Sequence, residues 1–178
     1  MNEHLVEKLI DSTRVFEGRM ISVRVDNVQL PTEKKVTREV VEHPGAVAVV
    51  AIREDKTVVM VRQYRHPAGK ILLEIPAGKL DEGENPDACA VRELEEETGY
   101  KAAVIRKLAT VYTTPGFTDE LMHIYAAEGL GQSKQNMDED EFIDIDYYTP
   151  QQLKEMIQAG QIEDAKTLLG LFMAGVLK

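Results

Sequence analysis

The chain is poor in cysteine and in basic residues, and it has no long apolar run. Its only cysteine among 178 residues is Cys89, so no disulfide can form within the chain. Lysine and arginine number 21 against 31 aspartates and glutamates, which gives a formal net charge of −10. Because nucleic acids and anionic membrane surfaces attract basic proteins, these two partner classes are disfavoured. No stretch is long enough to cross a bilayer.

Length and composition indicate one globular domain, with room for a small extension. Hydrophobic residues make up 43% of the chain, which is ample for a core. No internal repeat or low-complexity segment is visible. The first twelve residues, MNEHLVEKLIDS, hold no apolar run of the signal-peptide type, so we expect a cytoplasmic protein. Cys89 is expected to be a small packing residue, not a nucleophile.

The most informative segment is the acidic stretch at residues 78–100, which reads GKLDEGENPDACAVRELEEETGY. Asn85 is a good helix N-cap, and Pro86 fits the first helical position. Gly99 is suited to end the helix in the left-handed conformation. These signals predict a short helix that carries four glutamates and one arginine.

Residues three and four apart share one face of a helix, so Glu93, Glu96 and Glu97 are expected to converge while Glu95 points elsewhere. Three carboxylates that close repel one another unless a cation lies among them. Oxygen ligands of this kind suit a hard divalent ion, Mg²⁺ or Mn²⁺, better than zinc. A solvated acidic helix face is the plain alternative, but it would favour charges of mixed sign.

The segment resembles the Nudix hydrolase box, G-x5-E-x7-R-E-U-x-E-E-x-G-U, where U is an apolar residue. Its last apolar position holds Tyr100, a mild departure. The fixed positions are filled by Gly78, Glu84, Arg92, Glu93, Leu94, Glu96, Glu97 and Gly99. The resemblance implies metal-dependent hydrolysis of a nucleoside diphosphate derivative. It also implies a metal site made by Glu93, Glu96, Glu97 and the carbonyl of Ala77, with Glu84 and Arg92 bridging the loop and the helix.

Hydrophobic patterns predict a mixed α/β fold. Alternating runs at residues 9–16, 19–30 and 36–42 predict an antiparallel β extension, and the apolar run 46–52 predicts a buried strand that forms a hairpin with 57–64. Further strands are predicted at 102–113, 119–127 and 141–149, a polar loop at 129–140, and helices at 150–158 and 163–177. Such an order fits an α/β/α sandwich around a mixed sheet, which is the Nudix architecture. We expect an extension at residues 1–44 and a Nudix hydrolase domain at 45–178.

Two features outside the box resemble the ADP-ribose pyrophosphatase subgroup. The first is Pro115, some fifteen positions after the box, although Pro-Gly is also a common turn. The second is the pairing of Arg62-Gln63-Tyr64-Arg65 with Glu74-Ile75-Pro76-Ala77-Gly78. Because a guanidinium offers two parallel bonds to phosphate, Arg65 and Arg62 are candidate diphosphate ligands. A surface arginine at a strand end is the alternative reading.

The extension is also similar to one that this subgroup shares between the subunits of a homodimer. It is too small for a core of its own, so we expect a second copy to cover it and to complete the adenosine pocket. Phe16, Arg19 or Arg24 would then flank the adenine. The sequence does not choose among them, and Phe16 is equally compatible with interface packing.

Hydrolysis needs a group that takes a proton from water. In the ADP-ribose pyrophosphatases this base lies on a late acidic loop, and the corresponding run here is Met137-Asp138-Glu139-Asp140-Glu141. The register favours Glu139, then Glu141. If neither acts, the base lies in the box, at Glu93 or Glu96. An ordinary solvated loop is the alternative.

Other functions remain open at this stage. The family resemblance also allows nucleotide sugars, dinucleoside polyphosphates, capped RNA or damaged nucleoside triphosphates as substrates, although long RNA fits poorly with so few basic residues. A non-catalytic Nudix-fold nucleotide sensor is a different class of answer. The complete set of box glutamates favours an enzyme.

Overall fold

The computed structural model describes residues 2–137 and 141–177. The chain divides into two compact units. The first comprises Met1–Pro44 with Tyr112–Leu121, and the second comprises Gly45–Val111 with Met122–Lys178.

The first unit is built on an antiparallel meander of three strands, in the order β1-β2-β3. The strands are β1 (Lys8–Glu17), β2 (Ser22–Gln29) and β3 (Lys35–Glu42). All ten residues of β1 are exposed, whereas Val28 on β2 is buried. The predicted β extension is therefore confirmed, and it has little core of its own.

Residues 112–121 attach to strand β3. The amide of Val41 donates to the carbonyl of Phe117 at 2.8 Å, and the amide of Asp119 donates back to the Val41 carbonyl at 3.2 Å. The amide of His43 donates to Asp119 Oδ1 at 2.9 Å. These bonds place a segment from the middle of the chain in the N-terminal unit, which local sequence patterns did not indicate.

The second unit holds a seven-stranded mixed sheet with the central order β10-β5-β4-β9-β8, while β6 pairs with β5 and β7 with β4. Strand β4 is parallel to β9 and antiparallel to β5 and β7. The strands are β4 (Ala46–Ile52), β5 (Val58–Arg65), β6 (Lys70–Glu74), β7 (Ala77–Lys79), β8 (Tyr100–Tyr112), β9 (Leu121–Gln132) and β10 (Ile143–Tyr148).

Both faces of β4 are buried, which explains its continuous apolar sequence. Ala46, Ala48 and Val50 pack in one cluster with residues of α2 (Pro150–Gln158) and α3 (Ala165–Met173). The alternate residues of β4 pack in a second cluster with residues of α1 (Pro86–Thr98). Helices thus cover both faces of the sheet, and the predicted α/β/α sandwich is confirmed.

Two local predictions need correction, and two short strands were not predicted. Residues 129–132 belong to β9, not to a polar loop, because their backbone continues a strand beside β8 although the sequence GLGQ is typical of a turn. The last helix ends at Met173 instead of residue 177. Strands β6 and β7 were not predicted, since each is short and is defined by its pairing with a neighbour.

Candidate active site

Helix α1 presents the box glutamates, and its two ends are fixed as the sequence predicted. The Asn85 side chain accepts a hydrogen bond from the Asp87 amide at 2.8 Å, and Pro86 occupies the first turn. Gly99 ends the helix with φ of 67°. At that left-handed residue a Cβ would lie 3.1 Å from the amide nitrogen of Gln135, so both the turn and the close approach favour glycine.

Glu93 and Glu97 are buried carboxyl groups on the inner face of α1. Their residues are 8% and 2% exposed. Burial, together with the nearby charges of Glu93 and Glu141, raises the pKa of Glu97 to about 8, against the lowering effect of the Ala77 hydrogen bond. Burial likewise raises the pKa of Glu93 to about 7, against the lowering effect of Arg92. Two buried acids that disfavour each other's charge form a site where a cation would be stabilising.

Strand β7 forms the wall opposite these carboxylates. The Ala77 amide donates to Glu97 Oε2 at 3.0 Å. A Cβ added to Gly78 would lie 1.9 Å from Glu93 Cδ, so the Glu93 carboxylate occupies the space that any side chain would need. The box therefore requires glycine at position 78 because the helix carboxylate lies against the backbone.

Arg92 connects the loop before α1 to the helix. It donates two bonds of 2.9 Å to Glu84, one from Nε and one from Nη2. Its Nη1 donates to Glu93 at 2.8 Å and to Glu96 at 2.9 Å. Glu95 faces away and contacts Ser133 at 2.6 Å and Lys101 at 3.0 Å. Glu95 thus points away from the other box glutamates, as predicted, and the convergence of Glu93, Glu96 and Glu97 stays a prediction.

The fit to a divalent ion rests on this donor set. Within residues 2–137 and 141–177, no three histidine, cysteine, aspartate or glutamate side chains are grouped for a metal. Arg92 engages Glu93 and Glu96, and the Ala77 amide engages Glu97. The carboxylates are nevertheless hard oxygen donors, two of them are buried, and Glu93 lies against the backbone of Gly78. Such donors suit a hard divalent ion, and ligation by Ala77, Glu93, Glu96 and Glu97 stays a prediction.

Residues 133–136, here called the docking segment, attach to the C-terminal end of α1. Ser133 N donates to the Gly99 carbonyl at 2.6 Å, Gln135 Nε2 to the Glu97 carbonyl at 2.7 Å, and Asn136 N to the Glu96 carbonyl at 3.1 Å. The segment satisfies carbonyl groups that a helix end leaves without partners inside the helix. It also brings the start of the late acidic run next to the box.

Of the two predicted bases, Glu141 lies within the described residues and Glu139 does not. Glu141 is close enough to raise the pKa values of both Glu93 and Glu97 by its charge. It is therefore in the same electrostatic environment as the box carboxylates. The choice between Glu139, Glu141 and Glu96 stays a prediction.

The two arginines of strand β5 differ in their surroundings. Arg65 donates from Nε and Nη2 to the two oxygens of buried Glu74, at 2.9 and 2.8 Å. The hydrogen bonds to Glu74 raise the pKa of Arg65, and the charge of Glu97 adds to that rise, so Arg65 is near the box. Arg62 instead donates to Asp146 at 2.5 Å and to Tyr148 at 2.6 Å. Only Arg65 is thus placed beside the carboxylates, and phosphate binding by either residue stays a prediction.

The remaining predicted substrate ligands lie in the first unit. Pro115 is exposed in a turn where the Phe117 amide donates to the Thr114 carbonyl at 3.2 Å. Phe16 is 53% exposed and Arg19 is exposed at the β1–β2 turn. Arg24 is engaged by Asp26 at 3.1 Å and Glu42 at 2.7 Å. Their roles toward a substrate stay predictions.

Sequence reasoning assigned no role to Glu74, although it stands within the quoted 74–78 motif. It also missed Lys166, which contacts Glu74, and Thr167, whose Oγ1 accepts a bond from the Ile75 amide at 2.9 Å. The pattern Asp164-x-x-Thr167 is an N-cap signal, and the Asp164 side chain does accept from the Thr167 amide at 2.9 Å. That signal locates the helix start but does not indicate that it touches the site.

The fold is a sheet between helices, and the carboxylates of the box helix lie against a glycine. Together these features define a class of proteins. The family model described as the NUDIX domain matches residues 42–169. This range covers well over half of the chain. The chain therefore belongs to the Nudix family.

Two curated proteins are similar to this chain over most of its length. An ADP-ribose pyrophosphatase of Bacillus subtilis (strain 168) is 44% identical over 165 residues, covering 92% of this chain and 89% of that protein. A methanol dehydrogenase activator of Bacillus methanolicus is also 44% identical, over 173 residues, covering 96% of this chain and 94% of that protein.

A solved structure supports the fold. The crystal structure of an ADP compounds hydrolase superposes with a TM-score of 0.84 at 21% sequence identity, covering 95% of this chain and 92% of that one. At this identity the likeness concerns the fold alone. No helix among the described residues combines the length and the apolar character that a membrane span requires.

Proposed function

We propose that this protein hydrolyses the diphosphate bond of ADP-ribose to AMP and ribose 5-phosphate, with Mg²⁺ or Mn²⁺ as cofactor. The observation that carries the proposal is the buried pair Glu93 and Glu97 against Gly78, with Arg65 and Glu141 close enough to act on Glu97. The ADP-ribose pyrophosphatase of Bacillus subtilis, 44% identical over 92% of this chain, supports the choice of substrate.

Glu93, Glu96, Glu97 and the Ala77 carbonyl would hold the ion, which when bound neutralises phosphate charge and acidifies a water. Arg65 would bind the diphosphate oxygens and orient the bond for attack. A carboxylate of the late run, Glu139 or Glu141, would accept the proton of the attacking water. The water oxygen bonds to one phosphorus, and the bond from that phosphorus to the bridging oxygen breaks.

The direct test is incubation of the purified chain with ADP-ribose and Mg²⁺, followed by separation of nucleotides. AMP and ribose 5-phosphate should appear in equal amounts. Glu97→Gln should abolish turnover while the circular dichroism spectrum and Tm stay near wild type, because one buried carboxyl becomes an isosteric amide. A Glu97→Gln variant with a near-normal rate would contradict the role of the box. Faster cleavage of a nucleotide sugar such as GDP-mannose would keep the class and replace the substrate.

We also propose a homodimer. Strand β1 is exposed along its whole length in the single chain, and large apolar side chains are exposed in the same region, namely Leu5, Val6, Leu9, Ile10, Val15, Phe16 and Met20. Large exposed apolar surfaces often mark sites of association with another protein. A second copy would cover it and bring Phe16, Arg19 or Arg24 to the adenine of a bound substrate. The expected cytoplasmic location stays a prediction.

A second candidate function is activation of an alcohol dehydrogenase. It is favoured by the 44% identity to the methanol dehydrogenase activator over 96% of this chain. Adding the chain to Bacillus methanolicus methanol dehydrogenase tests it. Activation by wild type but not by Glu97→Gln would tie that effect to hydrolysis, and no activation by either would remove this candidate.

A further inference from the structure

A second cluster of charged side chains lies in the same unit, outside the box. Glu74 is 1% exposed, and both of its oxygens accept bonds from Arg65, at 2.9 and 2.8 Å. Lys166, at the first turn of α3, contacts Glu74 Oε2 from a second direction and lies 3.1 Å from Asp164. Two cations and two carboxylates form a group with no net charge, which lowers the cost of burying it.

This cluster is connected to the candidate active site through the residues that follow Glu74. The Ile75 amide donates to Thr167 Oγ1 at 2.9 Å, and the Ala77 amide donates to Glu97 Oε2 at 3.0 Å. The first turn of α3 therefore holds the start of the 74–78 segment, and the box helix holds its end. Arg65 and Glu97 are also near enough for each charge to shift the pKa of the other.

Arg65 has two competing attractions in this arrangement. A carboxylate buried at 1% exposure binds a single available cation strongly, because little water screens the pair. Because Lys166 gives Glu74 a second cation, the attraction between Glu74 and Arg65 is weaker. The shared carboxylate leaves the guanidinium freer to turn toward an added anion.

We propose that Lys166 is a positioning residue that keeps Arg65 available to the substrate by sharing the charge of Glu74. The inference rests on the proposed function, in which Arg65 binds the diphosphate. Lys166 itself touches no reacting atom. Its effect should fall on substrate binding, whereas a purely structural ion pair would affect stability alone.

The test compares KM and kcat for ADP-ribose across variants of position 166, at a temperature well below the lowest Tm. Lys166→Met should raise KM about tenfold, the scale of one weakened charge-assisted hydrogen bond, with kcat within about twofold. Lys166→Arg should restore the wild-type KM. If Lys166→Met does not fold, Lys166→Gln takes its place, since it keeps a hydrogen-bond donor and removes the charge.

The matched control is Lys70→Met. Lys70 also joins strand β6 to the segment before α3, through an ion pair with Glu163, but its side chain is 49% exposed and the pair does not include Glu74. Its KM should equal that of wild type. A rise in KM equal to that of Lys166→Met would mean that any lost bridge between these elements suffices, and would overturn the proposal.

A double variant separates charge sharing from other effects. In a Glu74→Gln background Lys166 and Arg65 no longer share a carboxylate, so adding Lys166→Met should leave KM unchanged. An equal rise in KM in both backgrounds, or no rise in either, would overturn the role of Lys166.

Failure of the proposed function can be distinguished from failure of the inference about Lys166. If wild type does not cleave ADP-ribose, that function fails, and binding of inorganic pyrophosphate by calorimetry then tests Lys166 on the same variants. Weaker binding by Lys166→Met alone would support the inference, and unchanged binding would overturn it.

Discussion

At the scale of single residues, the site depends on where a side chain is missing as much as on where one is present. Gly78 matters because Glu93 fills the volume beside its Cα. Glu84 matters because Arg92 donates two bonds to it and so joins the loop before α1 to the helix. Both residues support the carboxylates without being assigned to the reaction itself.

We expect Gly78→Ala to lower the hydrolysis rate about a hundredfold or more, since a displaced Glu93 would misplace the site. The reason is the 1.9 Å separation between the new Cβ and Glu93 Cδ. Initial rates with ADP-ribose and Mg²⁺ measure the effect. Gly131→Ala is the control, because a Cβ there would lie 3.8 Å from its nearest neighbour, the Lys101 carbonyl. Equal rates for the two variants would show that Glu93 can move without consequence.

We expect Glu84→Gln to lower the free energy of unfolding by about 1.5–3 kcal/mol at pH 7, the range for hydrogen bonds to charged groups. Hydrogen bonds from Arg92 lower the folded-state pKa of Glu84 from 4.5 to about 2. A lowered pKa stabilises the fold fully above about pH 4.5, and this stabilisation is lost as the pH falls toward 2.

Urea unfolding of both proteins between pH 7 and pH 3 measures that contribution. The difference between wild type and Glu84→Gln should narrow as the pH falls. A difference that is constant over this range would mean that the ionised form of Glu84 is not what stabilises the loop.

At the scale of elements, the candidate site is a meeting of α1, β7, the docking segment and the first turn of α3. The sequence predicted α1 closely because its signals are local: a capping asparagine, a proline at the first turn and a terminal glycine. The docking segment was not predicted, because residues 133–136 carry no pattern and bind mainly to carbonyl groups of α1. The backbone amides of Ser133 and Asn136 donate two of these bonds, and a backbone amide leaves no trace in side-chain identity.

The docking segment binds the box helix just before the late acidic run, through the bond from Asn136 N to the Glu96 carbonyl. We expect Glu139→Gln to slow hydrolysis by about two to four powers of ten, as is typical for loss of a general base. If Glu141→Gln loses activity and Glu139→Gln does not, the base is Glu141, two positions later in the chain. Rates of both variants, each checked for an unchanged Tm, decide between them. If neither variant is slower, the base lies in the box, with Glu96 as the candidate to substitute.

At the scale of the whole molecule, the acidic composition and the exposed strand β1 bear on assembly. A formal charge of −10 opposes non-specific association, so a dimer would have to rest on the apolar side chains of the N-terminal unit. The sequence indicated an extension that could not be stable alone. The structure adds that every residue of β1 is exposed in the single chain.

We expect sedimentation equilibrium to give a dimer at micromolar concentration, and Val15→Lys to shift it toward monomer. A charged residue on an exposed strand opposes pairing with another chain. Val15 is 59% exposed on β1, and Val104 is equally exposed on β8, so Val104→Lys is the matched control. A monomeric wild type would remove the dimer proposal. If Val15→Lys and Val104→Lys weaken the dimer equally, the interface is not confined to the N-terminal extension.

The sequence by itself determined the box helix, the buried strand β4, the N-terminal meander and the family. These depend on the spacing of residues close together in the chain, which caps, alternation and motifs record directly. Only the tertiary structure decided that Glu93 rests on Gly78, that the docking segment binds the end of α1, and that Lys166 reaches Glu74 across 92 residues. Those contacts join segments distant in sequence, and each partner alone has an ordinary reading: a glycine in a turn, a polar loop or a lysine near a helix start.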